Sequence, residues 1–167
     1  MGILSRVEKP SDVKKLNEKE MKLLAEELRG EVLSAINRNG GHLSSNLGIV
    51  ETTVALYHTF DFPKDKLIFD VGHQCYAYKM LTGRLDRFGT LRQEGGISGF
   101  PKAAESKYDS FVAGHASTSL AAAYGLKRAM TLSGERHTVA AVVGDGSFTG
   151  GMIYEGLNNI GKSKENL

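Results

Sequence analysis

The chain has 167 residues, 41% of them hydrophobic, which is enough for one ordinary core and suggests a single compact unit. Twenty-one basic residues against 19 acidic ones leave a formal charge of +2, which gives no reason to expect a nucleic acid or an anionic membrane as partner. A single cysteine, Cys75, excludes an internal disulfide and a cysteine-rich metal site, and fits a reducing cytoplasm. The opening MGILSRVEKP has no apolar run long enough for a signal peptide, and Arg6 stands where an N-myristoylation motif needs Ser or Thr. No apolar stretch approaches the roughly 18 residues of a spanning helix, so a soluble cytoplasmic protein is expected.

From Asn17 the spacing predicts an amphipathic helix. Asn17 and Glu20 form an Asn-x-x-Glu capping box; Met21, Leu24, Leu28, Val32 and Ile36 recur at helical spacing, and Gly40 or Gly41 ends the element. A second helix is expected over 47–60, a strand over 66–71 after the turn at 63–65, and a short helix over 74–81. A glycine-rich loop follows at 82–101, a length that in a compact domain is usually functional or disordered. Phe111-Val112-Ala113 reads as a strand, 116–132 as an alanine-rich helix, 138–143 as a third strand and 149–160 as a further helix. This alternation argues for an α/β fold, a mainly parallel sheet with flanking helices, whose ligand crevice lies beyond the carboxyl ends of the strands. No repeat, low-complexity tract or linker marks an internal boundary.

Three of the five histidines directly follow a glycine, at Gly41-His42, Gly72-His73 and Gly114-His115, where composition alone predicts fewer than one such pair. Turns at or near element ends thus present imidazoles, a pattern that favours a site over isolated structural histidines. The segment VAAVVGDGSFTGG is not a P-loop, because Gly151 and Met152 stand where Lys and Ser/Thr are required. It is a poor dinucleotide fingerprint, because Thr149 replaces the third glycine. Its own feature is Asp145 between Gly144 and Gly146, where a pyrophosphate would approach. Two like charges about 4 Å apart repel by roughly 4 kcal/mol at an effective dielectric near 20. A Mg²⁺ ion between them reverses the sign, since it is commonly held by one or two carboxylates and phosphate oxygens. The helix that follows adds free N–H groups and the favourable end of its dipole. The alternative is a plain Asp-Gly turn after a strand.

Three long stretches, GGHLSSNLGIVETTVALYHTFDFPKDKLIFDVGHQCYAYKMLTGR, TLRQEGGISGFPKAAESKYDSFVAGHASTS and AVVGDGSFTGGMIYEGLNN, resemble the N-terminal portion of the 1-deoxy-D-xylulose-5-phosphate synthase family. The resemblance covers residues 16–167; DVGHQ with LTGR, and GGISGFPKxxES with GH, are not the forms transketolases carry, so a transketolase-like transferase is the alternative within the same fold. It implies the diphosphate-binding domain of transketolase-like thiamine enzymes, with thiamine diphosphate and Mg²⁺ as cofactors and a homodimer as the working form. The reaction it implies joins pyruvate to D-glyceraldehyde 3-phosphate with loss of CO₂, supplying isoprenoid, thiamine and pyridoxal precursors.

Position by position, the resemblance makes Asp145 the metal ligand, and gives Gly146 and Ser147 backbone and side-chain contacts to the diphosphate. His73 and Gly114-His115-Ala116 become cofactor-contacting residues, with His42 and His73 as the catalytic candidates. Ala116 departs from the Ser of GHSSTS in many relatives, removing a hydroxyl but not a backbone contact. The family's metal motif closes with an asparagine 25 to 30 residues after the acidic turn, beyond Leu167. Residues 1–167 are therefore expected to be an incomplete diphosphate-binding domain, without the pyrimidine-binding and C-terminal domains. Inactivity of the isolated chain, or a purely non-catalytic binding or assembly role, follows as an expectation.

Overall fold

A computed structural model describes residues 2–167. The residues group into two compact units, one of residues 2–62 with His73–Gly99, the other of Pro63–Gly72 with Phe100–Leu167. Each unit is discontinuous: the chain passes between them three times, after Phe62, Gly72 and Gly99. No single polar linker does this, which is why composition gave no boundary.

The first unit is helical. A 3₁₀ turn at Leu4–Arg6 and α1 (Pro10–Val13) precede the long helix α2 (Glu18–Asn39). The capping box forms as expected, with the Glu20 N–H donating to Asn17 Oδ1 and the Asn17 N–H to Glu20 Oε2, both at 3.1 Å. Leu24, Leu28 and Val32 are fully buried, joined by Ala25 and Ala35, whereas Met21 and Ile36 lie at the partly buried edges of the stripe. Each large aliphatic side chain so buried stabilises the unit by about 1.5–3 kcal/mol. The helix stops at Gly40.

The helix expected over 47–60 forms as Val50–Thr59, and a short helix that was not expected precedes it. A short helix α3 (Leu43–Leu47) is separated from α4 (Val50–Thr59) by Gly48 and Ile49, and α4 buries Val50, Val54 and Tyr57. The helix expected over 74–81 is α5 (Tyr76–Lys79), continued by a π-type turn through Met80–Arg84. Tyr78 stacks its ring 6.1 Å from that of Tyr57, and Tyr76 meets Phe88 edge-on at 6.2 Å. The following loop is pinned to this unit. Phe88, Leu91 and Ile97 are buried, and the Asn39 amide donates to the carbonyls of Gly89 and Leu91 at 2.9 and 3.1 Å.

The second unit is mixed α and β. Strand β1 (Lys66–Phe69) pairs in parallel with β2 (Val139–Val142), Lys66 opposite Val139 and Phe69 opposite Val142. Between them in sequence runs α6 (Ser119–Leu132), and α7 (Gly151–Ser163) follows β2. Ile68, Ala123, Met130 and Val139 form the core, with Phe111, Leu126, Ala141 and Leu167 packed on it. A parallel pair with an intervening helix agrees with the α/β expectation, on a two-stranded sheet.

Two expectations are corrected here. Phe111-Val112-Ala113 is not a strand: Phe111 packs on the core and Val112 is 60% exposed, but the segment enters no backbone ladder. Its in-and-out apolar pattern reflects burial alone, and a strand also needs a partner row of N–H and C=O groups. The helix expected from Ala116 starts only at Ser119, because Ser117 sits at φ 69°, outside the helical region, and turns its N–H elsewhere. Among the described residues no helix is long and apolar enough to cross a membrane.

Candidate functional site

The residues singled out from sequence fall into two clusters, one in each unit. In the helical unit, His42 and His73 come together with ring centroids 5.1 Å apart, edge to face. Asn46, fully buried, joins the two backbone segments that carry them. Its Nδ2 donates to the carbonyls of His42 at 2.6 Å and His73 at 2.8 Å, while its Oδ1 accepts the Tyr76 N–H at 2.9 Å. The Tyr76 hydroxyl accepts the His42 backbone N–H at 3.5 Å and lies 2.7 Å from the point a Cβ on Gly41 would occupy. Gly41, at φ 146°, is therefore required on two counts, its backbone angle and the close approach of the phenol. Sequence reading missed Asn46; its signal is the four-residue spacing from His42, which in a helical turn brings the two to the same side.

Burial lowers the pKa of His73, and the neighbouring His42 lowers it further. The His73 Nδ1 is buried and has no hydrogen-bond partner among the described residues. The sign follows directly. Because the fold prefers the neutral ring, His73 contributes nothing against stability above the ordinary range near 6.5. It weakens the unit as the pH falls below that value and through its own lower midpoint. An NMR titration is expected to find His73 neutral at pH 7, with a midpoint below about 6.5 that rises when His42 is replaced by Ala. A midpoint at or above that value would contradict the burial argument.

In the mixed unit, the carboxyl ends of both parallel strands carry acids. After β2 the chain passes through Gly144 into a 3₁₀ turn, Asp145–Thr149, and the uncapped start of α7. Gly144, Asp145 and Gly146 are exposed, and the space a Cβ would take at either glycine is open. The Gly146 N–H donates to Asp145 Oδ1 at 2.9 Å. Among the described residues, no group of three or more His, Cys, Asp or Glu side chains is assembled around a point. Gly114, His115 and Ala116 form an exposed turn leading into Ser117 and α6.

Ser147 differs from its neighbours. It is buried and its hydroxyl donates to Asp70 Oδ1, so the side chain faces inward. Asp70, 1% exposed at the end of β1, also accepts the N–H of Ser117 at 2.8 Å and of Ser119 at 3.0 Å. Burial by itself raises the Asp70 carboxyl. The Ser147 hydroxyl and the N–H groups of Ser119 and Ser117 outweigh it and hold the group below the usual carboxylate range. Asp70 was absent from the sequence-level candidates. Its signal is a carboxylate placed directly after the buried strand residues Leu67, Ile68 and Phe69.

With this geometry in view, the comparisons with known proteins are decisive. The family model described as 1-deoxy-D-xylulose-5-phosphate synthase matches residues 4–167. The chain belongs to the 1-deoxy-D-xylulose-5-phosphate synthase family. The synthase of Clostridium perfringens is 54% identical over 165 residues, 99% of this chain and 27% of that protein. 1-Deoxy-D-xylulose-5-phosphate synthase 1 of Geobacter metallireducens is 56% identical over 166 residues, and the Thermus thermophilus synthase 54% over 165, with the same coverages. The chain thus spans about a quarter of the length of the synthases it matches.

Proposed function

We propose that this chain forms the N-terminal, diphosphate-binding part of a thiamine-diphosphate- and Mg²⁺-dependent 1-deoxy-D-xylulose-5-phosphate synthase of the transketolase-like fold. Its substrates would be pyruvate and D-glyceraldehyde 3-phosphate, and its working form a homodimer. The observation that carries the reading is the acidic turn: an exposed Asp145 carboxylate at the carboxyl end of a parallel strand, flanked by open glycines.

The residues present fit the cofactor. Asp145 offers the hard oxygen ligand that Mg²⁺ takes alongside phosphate oxygens, and the uncapped N–H groups at the start of α7 favour an anion. The buried Nδ1 of His73, without a hydrogen-bond partner among the described residues, is a polar atom that a bound cofactor could satisfy. Bound thiamine diphosphate would supply a carbanion nucleophile and an electron sink for decarboxylation.

The chain's own residues then have separable tasks. Asp145 holds the metal, the Gly146 backbone and the Ser147 segment cradle the diphosphate, and Gly114, His115 and Ala116 contact the cofactor from their turn. Ser147 contributes through its backbone, since its hydroxyl is engaged by Asp70. His73, neutral at pH 7, accepts a hydrogen bond or a proton at Nδ1. His42, exposed and 5.1 Å away ring to ring, moves protons to and from substrate oxygens. Calorimetric titration with thiamine diphosphate of a synthase carrying this chain as its N-terminal part is expected to give saturable heat that requires Mg²⁺. Identical heats with and without the metal would overturn the reading.

A further inference from the structure

Asp70 is a buried carboxylate to which the reaction assigns no task. Its donors include groups from two separate segments: the N–H groups of Ser117 and Ser119, which follow the Gly114-His115-Ala116 turn, and the hydroxyl of Ser147 in the acidic turn. A further bond closes the loop, since Ser117 Oγ donates to the Ser147 carbonyl at 2.8 Å. The arrangement is tight. A Cβ on Gly150, the residue between the acidic turn and α7, would lie 2.5 Å from Ser117 Oγ. Ser117 itself adopts φ 69°, a conformation a serine holds only when its surroundings fix it.

These contacts have a common result: the 114–116 turn and the 145–147 turn cannot move independently while Asp70 stands between them. We propose that Asp70 is a positioning residue, a clasp that sets the register between the two diphosphate-contacting turns and so prepares them for the cofactor and its metal. The inference rests on the cofactor reading of those two turns. A carboxylate suits the role where an amide does not. Its two oxygens accept these three donors, whereas asparagine offers one acceptor oxygen and turns an NH₂ group toward an N–H. Partners that orient a metal site from behind its ligands are typically worth about 10- to 100-fold in affinity.

The test compares the native sequence with Asp70→Asn and Ser147→Ala, each within a synthase carrying this chain as its N-terminal part, by amide hydrogen exchange and by calorimetry with Mg²⁺ and thiamine diphosphate. For Asp70→Asn, exchange at Ser117, Ser119, Ser147 and Gly150 should accelerate at least about tenfold while the paired amides of β1 and β2 keep their native rates. Cofactor affinity should fall about 10- to 100-fold. Ser147→Ala should loosen Ser147 and Gly150 but leave Ser117 and Ser119 protected by Asp70. The proposal is overturned if exchange rises uniformly through β1, β2 and both turns, which marks general stability alone, or if neither turn responds. Should Asp70→Asn fail to fold, native protection at Ser147 and Gly150 in Ser147→Ala also overturns it. If that native protein binds no thiamine diphosphate, the functional reading falls, and the exchange pattern still decides whether Asp70 couples the two turns.

Discussion

Replacing Asp145 with alanine is expected to abolish the Mg²⁺-dependent part of thiamine diphosphate binding while leaving the fold intact. The carboxylate is exposed and, among the described residues, accepts a hydrogen bond only from the neighbouring Gly146 N–H, so its loss should change stability by no more than about 0.5 kcal/mol. The effect on the ligand should be far larger. Residues behind a metal ligand already matter about 10- to 100-fold, so removing the ligand itself should cost more than about 100-fold. Calorimetry with and without Mg²⁺ measures the first quantity and urea unfolding the second. Loss of binding together with several kcal/mol of stability would show that Asp145 serves the turn and not the ion.

The opposite balance is expected at Tyr76. This ring is fully buried, meets Phe88 edge-on and lies under the Gly41-His42 turn. Tyr76→Ala should cost about 3–5 kcal/mol, the usual range for deleting a large aromatic side chain from a core. Tyr76→Phe keeps the ring and removes only the long, 3.5 Å contact to the His42 nitrogen, so its cost should stay below about 1.5 kcal/mol. Denaturant midpoints of the two variants provide the check. Equal losses in both would mean that the hydroxyl, and not the packing of the ring, supports the turn.

Some of this was legible in the sequence because the determinants are local. The Asn17–Glu20 box and the Leu24, Leu28, Val32 stripe lie within one helix, and both appear as read. The acidic turn was equally readable, since an apolar strand, two glycines and an acid are adjacent in the chain. What failed depends on distant partners. Phe111-Val112-Ala113 has a strand's pattern without a ladder, and α6 begins late because Ser117 and Ser119 direct their N–H groups to Asp70, 47 and 49 residues earlier. Composition and spacing carry no information about such a bond. The same holds for Asn46, whose amide reaches the His73 carbonyl 27 residues away. The pairing of His42 with His73 was suggested only loosely, by the shared glycine before each ring.

The parallel register of β1 and β2 also has a bearing on how the protein is made. Lys66 waits for Val139, 73 residues further along the chain. At about 5–20 residues per second, β1 has been synthesised for roughly 4–15 s before its partner exists. During that interval Leu67, Ile68 and Phe69, all buried in the finished protein, have no strand beside them. The nascent chain thus carries a sticky segment for as long as the residues up to β2 take to be made, and slow translation between β1 and β2 exposes it to aggregation.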